Sequence, residues 1–292
     1  MISWPLSLRP IQNYDRIFLE AKVSNPHDES SERMTPGVEG LFEHVIITPQ
    51  SLDFLKACLA AKLNLAISGP SKSGKRKLLH AFVSLLPRDE QILVIQNPDE
   101  PSLTGKGITT LRANLSPAHG KHIITRHYLL ALVPKIHPQR LLLDRVQGSE
   151  ALPLLKLLFT MDGVMFSIVA DSPKDAVSSL ERMLLPSEAG LDMNTIRRIL
   201  SSSLDMIIQL QRLQDGSARI VNLTEVPEAE DDTIIPRDIF LHQRIEDRED
   251  EPLGLLNPTG IKPEFSDRIE MLGISLPKGM FVSPHKKKGA AS

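Results

Sequence analysis

Short apolar runs alternate with longer amphipathic stretches through the middle of this 292-residue chain. The apolar runs predict strands at 63–68, 92–96, 141–143 and 165–169. The amphipathic stretches predict helices at about 75–86, 123–133, 151–159 and 174–185. This alternation is typical of parallel strands joined by crossover helices, and the runs are apolar on both faces, as in sheets covered on both sides. The pattern therefore predicts an α/β fold with a mainly parallel sheet.

The flanking regions predict additional elements. Thr48 followed by Pro49 predicts a helix start, because threonine caps a first turn and proline is favoured at its first position. Asp215-Gly216 is typical of a hairpin turn and separates two apolar runs. The remaining predictions are a helix near 194–203, strands at 206–213, 218–226 and 234–243, and a final helix at 264–271. Together they form a C-terminal hairpin and a helical extension.

These patterns divide the chain into three parts. Residues 1–45 form a short N-terminal segment with a polar linker, 46–226 form the core, and 227–292 form a C-terminal extension with a basic tail. The tail carries Lys286, Lys287 and Lys288. Three lysines near a terminus usually act as a solubilising tail, and a membrane-surface or RNA role is the alternative.

The stretch 63–79, LNLAISGPSKSGKRKLL, carries the clearest chemical signal. Gly69, Gly74 and Lys75 have the spacing of the phosphate-binding loop G-x-x-x-x-G-K-[S/T]. Such a loop directs backbone N–H groups at a phosphate, at the positive end of a helix dipole. The candidate nucleotide-binding residues are Gly69, Pro70, Ser71, Lys72, Ser73, Gly74, Lys75, Arg76 and Asp144.

Arg76 interrupts this motif at its last position. A serine or threonine there would hold Mg²⁺, but a guanidinium has only donors and a permanent charge, so it cannot ligate a metal. A second motif should place acids after a later apolar strand, and Asp144 supplies one of them. Arg145 stands where the catalytic glutamate would be. The alternative for Asp144 is a strand-end residue that pairs with a nearby basic group.

Composition narrows the class of protein. An apolar fraction of 41% and a charged fraction of 24% suit a soluble globular protein, and a net charge of −2 gives no electrostatic argument for a nucleic-acid partner. The single cysteine, Cys58, excludes an internal disulfide. No apolar run approaches the roughly 18 residues of a transmembrane helix, and the N-terminus lacks the features of a signal peptide. We expect a cytoplasmic location.

The chain as a whole resembles the CpaF/TadA family of Flp/Tad pilus secretion ATPases, within the type II/IV secretion ATPases. The similar stretches are NLAISGPSKSGKRKLLHAFVSLLPRDEQILVIQ, HPQRLLLDRVQGSEAL, DGVMFSIVADSPKDAVSSLERM, LQDGSARIVNLTEV and TGIKPEFSDRIEMLGI. The resemblance implies a RecA-like P-loop NTPase core, ATP or ADP as ligand, a hexameric ring, and partners in a pilus or secretion machine.

The same resemblance reveals departures at the family's catalytic positions. The P-loop threonine is Arg76, the acidic pair after the next strand is Gln96 and Asn97, the catalytic glutamate is Arg145, and the histidine of the His box is Val169. These groups cannot activate water or sense a γ-phosphate, so no catalytic residue and no Mg²⁺ site are expected. Some 45 residues precede the core, so the resemblance implies that most of the family's N-terminal domain is missing.

The leading hypothesis is an inactive relative with a structural or regulatory role. Its partners would be an inner-membrane platform or an active paralogous ATPase, in a homo- or hetero-oligomer, and it could lie peripherally at the inner membrane. One alternative is a weak motor ATPase that uses Lys75 with Asp144 as an unconventional metal ligand. Another is a nucleotide sensor in which Arg76 and Arg145 replace Mg²⁺. The two arginines could instead pair with Asp144, Asp171 or Glu150 and fill the site.

Overall fold

The computed structural model describes residues 45–98, 100, 103, 105–114, 123–185, 190–212, 218–243 and 255–284. The predictions for the N-terminal segment before Val45, for the Asp215-Gly216 turn and for the tail Lys286–Lys288 lie outside these residues.

A ten-stranded sheet forms the centre of the fold. The strands are β1 (Val45–Ile46), β2 (Leu65–Gly69), β3 (Ile92–Gln96), β4 (Ile108–Arg112), β5 (Arg140–Leu143), β6 (Val164–Val169), β7 (Met206–Arg212), β8 (Ala218–Glu225), β9 (Arg237–Gln243) and β10 (Leu255–Pro258). Their order is β10-β9-β8-β7-β2-β6-β5-β3-β4, and β1 pairs with β8. The six strands from β7 to β4 are mutually parallel, whereas β7 to β10 pair antiparallel in sequence.

Helices cover both faces of this sheet. The helices are α1 (Pro49–Ala60), α2 (Lys75–Leu85), α3 (Arg126–Ile136), α4 (Gly148–Thr160), α5 (Pro173–Leu184), α6 (Met193–Ser203) and α7 (Ser266–Met271). The apolar side chains of α3 to α6 form the core on one face, and those of α1, α2 and α7 form the core on the other. The α/β prediction with a mainly parallel sheet and a C-terminal hairpin is confirmed.

Most element bounds follow local signals in the sequence. Thr48 caps α1 by accepting a hydrogen bond from the backbone N–H of Ser51, as its position before proline predicts. The helix predicted from residue 123 begins at Arg126, because the Thr125 side chain accepts a hydrogen bond from the N–H of Tyr128. The strand predicted from residue 234 begins after Pro236, which has no N–H for the ladder.

Three strands were missed by the sequence prediction: β1, which has only two residues, β4 and β10. β4 has the sequence ITTLR, in which two threonines weaken the apolar pattern, and β10 has only four residues. β10 adds an antiparallel strand beside β9. The segment 255–284 then packs on α1, where the Phe54 ring lies 6.2 Å from that of Phe265 and 5.5 Å from that of Phe281. The C-terminal residues thus share a core with the first helix.

The Asn64 side chain joins the start of β6 to the ends of two helices. Its Nδ2 donates to the carbonyls of Leu158 (3.1 Å), Met161 (3.3 Å) and Ser203 (2.8 Å), and its Oδ1 accepts from the N–H of Val164 at 2.9 Å. These groups lie at the end of α4, after α4, at the end of α6 and at the start of β6. One buried amide therefore makes hydrogen bonds with four backbone groups at the ends of different elements.

We expect Asn64→Ala to lower the free energy of unfolding by at least about 3 kcal/mol, because several buried backbone groups lose their partner at once. Urea unfolding measures this loss. Asn194→Ala is the matched control, since the exposed Asn194 donates one hydrogen bond, to Asp232 at 2.9 Å, and should cost about 1 kcal/mol or less. Equal losses in the two variants would contradict the role assigned to Asn64.

Candidate functional site

The loop 69–74 between β2 and α2 requires both of its glycines. A Cβ on Gly69 would lie 2.5 Å from the Ser73 hydroxyl and 2.7 Å from the carbonyl oxygen of Leu210. Gly74 caps α2 at a φ of +90°, which strains any other residue. Ser71 and Lys72 are exposed on the loop, and Ser73 is buried. Neither glycine of the predicted phosphate loop can therefore be replaced without a shift of the backbone or its neighbours.

Lys75 turns back onto the loop itself. Its Nζ donates to the carbonyls of Gly69 and Pro70, both at 2.7 Å, and to the Ser73 hydroxyl at 3.4 Å. Burial lowers the pKa of Lys75, the charge of Asp144 opposes this shift, and the charge of Arg145 adds to it. A phosphate that binds here must compete with these carbonyls for the ammonium group.

Arg76 is held by two carboxylates. Its Nε donates to Oδ2 of Asp144 at 2.6 Å, and its Nη2 lies 2.7 Å from Oε1 of Glu100. Ser167 donates from its hydroxyl to the other oxygen of Asp144 and accepts from the N–H of Arg145 at 2.8 Å. Burial alone would raise the pKa of Asp144, but the hydrogen bonds from Ser167 and Arg76 outweigh it, and the pKa lies below its ordinary value.

Glu100 is a site residue that sequence reasoning missed. It is 9% exposed, and it accepts hydrogen bonds from the backbone N–H (3.3 Å) and the side-chain Nδ2 (3.0 Å) of Asn97. No motif marks its position, four residues beyond β3. Asn97, predicted to replace a catalytic acid, thus orients a different acid toward Arg76.

Arg126 is the second missed residue. It is 4% exposed, and its Nη2 donates to the carbonyl of Asp144 at 2.6 Å and lies 3.2 Å from Oε2 of Glu150. Glu150 is therefore occupied by Arg126 rather than by the arginines considered in the sequence. The N–H of Asp171 donates to Asp175. Of the pairings considered, the structure contains the one between Arg76 and Asp144.

The other substituted positions surround the loop. Arg145 is exposed at a φ of +49°, and its guanidinium makes no ion pair with any residue that the structure describes. Val169 ends β6 directly beside Gly69 in the sheet register and is 42% exposed. Gln96 is buried at the end of β3. Two arginines, two amides and one apolar side chain thus occupy the positions where the resemblance implied metal-binding and catalytic groups.

The donor set of the site does not fit a metal ion. Within the described part of the chain, no group of three or more histidine, cysteine, aspartate or glutamate side chains could hold one. The carboxylates of Asp144 and Glu100 both bind the guanidinium of Arg76. Lys75 and Arg145 place two positive charges close together beside the loop.

Comparison with known proteins gives consistent matches. Residues 41–242 match the family described as "Type II/IV secretion system protein". The type IV secretion system protein VirB11 of Bartonella henselae is 26% identical over 166 residues, which are 55% of this chain and 46% of that protein. Protein VirB11 of Agrobacterium tumefaciens is 24% identical over 165 residues, 56% of this chain and 48% of that protein. The chain spans about half the length of these relatives.

A solved structure extends the comparison to the fold. The VirB11 ATPase from the Brucella suis type IV secretion system, in complex with sulphate, superposes with a TM-score of 0.54 at 22% identity. The match covers 76% of this chain and 64% of that one. Among the residues that our structure describes, no helix has the length and apolar character needed to cross a bilayer.

We expect Arg76→Met to lower the free energy of unfolding by about 1–3 kcal/mol, because it leaves two largely buried carboxylates without their cation. Solvent screens part of this interaction, since the Arg76 side chain is partly exposed. Arg145→Met is the control. It removes the same charge from the same site but breaks no ion pair, so its effect should stay within about 0.5 kcal/mol. Chemical unfolding at neutral pH compares the two, and similar losses would argue against the Arg76 network.

Asp144 should also make stability depend on pH. Its folded pKa lies below the ordinary 3.8, so its contribution is complete above that value and disappears as the pH falls through the folded pKa. Asp144→Asn should therefore be less stable than the wild type at pH 7, and the difference should shrink below about pH 4. Unfolding curves at a series of pH values measure it. A difference that stays constant down to pH 3 would contradict this assignment.

Proposed function

The chain belongs to the family of type II/IV secretion system proteins, and from this we propose that it is a catalytically inactive relative of the CpaF/TadA secretion ATPases. Its role is structural or regulatory, in a Flp/Tad-type pilus or a related type II/IV secretion machine. It retains the fold and the glycines of the phosphate loop, and it lacks the groups that would hydrolyse ATP.

One observation carries the proposal. Arg76 stands where a metal-ligating hydroxyl is needed, and Asp144 and Glu100 hold its guanidinium at 2.6 and 2.7 Å. The carboxylates that could have drawn a divalent cation to the loop are thereby neutralised within the protein. A guanidinium fixed in this way supplies charge near a phosphate but cannot coordinate a metal or position water.

The expected cost to catalysis is large. Removal of a metal ion or of a preorganised charged group raises a barrier by several kcal/mol, and each 1.36 kcal/mol is about a tenfold loss of rate. Arg145 places a positive charge where the family resemblance implies the catalytic glutamate. Val169 places an apolar side chain where it implies a histidine. The losses concern chemically different groups, so no single compensation would restore turnover.

The proposal divides the chain into three regions. Residues 46–226 would form the RecA-like core, 227–292 a C-terminal extension, and 1–45 the N-terminal segment. The partners would be the inner-membrane platform of the machine or an active paralogous ATPase, joined in a mixed or homomeric ring. The protein would then work in the cytoplasm, at the inner-membrane surface.

A second candidate function is a nucleotide sensor that needs no Mg²⁺. Arg145 supports it, because this exposed cation lies close enough to Lys75 to lower its pKa. Lys75 and Arg145 could together neutralise phosphate oxygens without a metal. The weak-motor alternative has less support, because it needs Asp144 as a metal ligand and Asp144 is paired with Arg76.

Turnover and binding measured on one sample test the proposal. We expect phosphate release from Mg²⁺-ATP at the background rate, equal in the wild type and in Lys75→Ala. Calorimetry with Mg²⁺ and with EDTA then separates the two roles, since binding unaffected by EDTA and weakened by Arg145→Gln indicates the sensor. Magnesium-dependent turnover that disappears in Lys75→Ala would overturn the inactive-relative proposal.

A further inference from the structure

The C-terminal segment 255–284 carries a group of exposed apolar side chains. Met271 is 80% exposed and Leu272 is 59% exposed, and Ile261 and Val282 are exposed as well. These four side chains form the C-terminal apolar surface. Single apolar residues are common on protein surfaces, whereas a group of them in one place marks a site of interaction. The phosphate loop and its surroundings do not explain this surface, because it belongs to a different part of the fold.

The four side chains belong to segments that surround one cavity of about 400 Å³. Val282 lines this cavity. Ile261 lies between two residues that line it, and Met271 and Leu272 directly follow a third, Glu270. The segments that carry the C-terminal apolar surface therefore lie beside one another on one side of the protein.

The core holds this surface in place from its inner side. Ile269 of α7 is fully buried and belongs to the same core as α1 and α2. The next residue toward the start of the helix, Arg268, places its Nη2 2.6 Å from Oδ1 of Asp205. Met271 and Leu272 are thus exposed at the end of a helix that packs firmly on the protein. Their apolar area remains in water, and burial against an apolar phase would be favourable.

The carboxylates around the C-terminal apolar surface already have cations of their own. Nζ of Lys262 lies 3.0 Å from Oδ1 of Asp267 and 3.4 Å from Oε1 of Glu270. Nη2 of Arg237 lies 2.5 Å from Oε1 of Glu264. These acidic side chains therefore add little uncompensated negative charge to this side of the protein.

Uncompensated positive charge occurs at the same place. Lys278 is exposed at the cavity and makes no ion pair with any residue that the structure describes. Two residues beyond Val282, the sequence continues from Pro284 into the lysines at 286–288. An extended chain spans at most about 3.5 Å per residue, so covalent connection alone keeps all three lysines within about 20 Å of Val282. The basic tail therefore belongs to the same side of the protein as the apolar side chains.

Apolar side chains next to a run of lysines are typical of surfaces that lie on anionic lipid bilayers. The apolar groups enter the headgroup region while the lysines face the lipid phosphates, and stable binding needs both contributions. Met271 and Leu272 project from the end of α7 and do not line the cavity. This arrangement suits insertion into a flat bilayer surface better than the capture of a peptide in a groove.

We propose that the C-terminal apolar surface and the lysines at 286–288 bind the surface of a bilayer that contains anionic phospholipids. The inference rests on one part of the proposed function, the location at the inner-membrane surface, and names the region that makes the contact. It does not depend on whether the chain hydrolyses ATP, since lipid binding is measured without nucleotide.

Flotation of the full chain with protein-free vesicles tests the proposal. We expect binding to vesicles of equal parts phosphatidylcholine and phosphatidylglycerol, and little binding to phosphatidylcholine alone. Each lysine near an anionic surface contributes about fivefold at low salt, so replacement of all three should weaken binding about a hundredfold. The variant is Lys286→Gln with Lys287→Gln and Lys288→Gln. The matched control removes the same charge at three exposed lysines elsewhere, Lys77→Gln with Lys106→Gln and Lys174→Gln, and should bind almost as well as the wild type.

A second pair of variants tests the apolar side chains. Leu272→Ser should weaken binding about tenfold, whereas Ile123→Ser, at a side chain with a similar exposure of 58%, should leave it unchanged. Equal binding to the two kinds of vesicle, or equal losses in a variant and its control, would overturn the proposal. Absence of binding to both kinds of vesicle would also overturn it and would indicate a protein partner for this surface. The inactive-relative proposal would stand in that case, because it is tested by turnover.

Discussion

The hydrogen-bond register between β2 and its neighbours β6 and β7 determines the geometry at the edge of the sheet where the predicted phosphate loop lies. Asn64, directly before β2, joins the start of β6 to carbonyl groups at and after the end of α4 and at the end of α6. Five residues further along, the same register brings Gly69 beside Val169 and against the carbonyl of Leu210. The predicted phosphate loop and the position of Val169 beside it therefore depend on one amide that lies at the opposite edge of the sheet.

The guanidinium of Arg76 places a fixed positive charge at this edge of the sheet. A metal ion would be held by oxygen ligands and by the phosphates of a nucleotide, and it would leave with them. The guanidinium of Arg76 is covalently part of α2, and it joins the end of β5 through Asp144 to the segment after β3 through Glu100. The network therefore stabilises the loop through contacts within the protein, whereas a metal-dependent loop gains part of its order from the bound ion.

The sequence predicted the parts of this site that depend on local spacing. The glycines, Lys75 and the strand before them follow from motif spacing and apolar pattern, and the capping residues set most helix starts. Glu100 and Arg126 could not be predicted in the same way, because neither belongs to a motif and both reach the site only through contacts between distant segments. β4 was missed for a related reason: it is stable as a partner of β3 although its own residues are weakly apolar.

The Arg76 network also has a consequence for evolution. Threonine or serine at position 76 would complete the phosphate-loop motif, but that change alone would leave Asp144 and Glu100 without their cation. A variant with only this change would be less stable than the protein itself, because two largely buried carboxylates would lose their counter-charge. Substitutions at positions 76, 100 and 144 should therefore be tolerated together rather than one at a time.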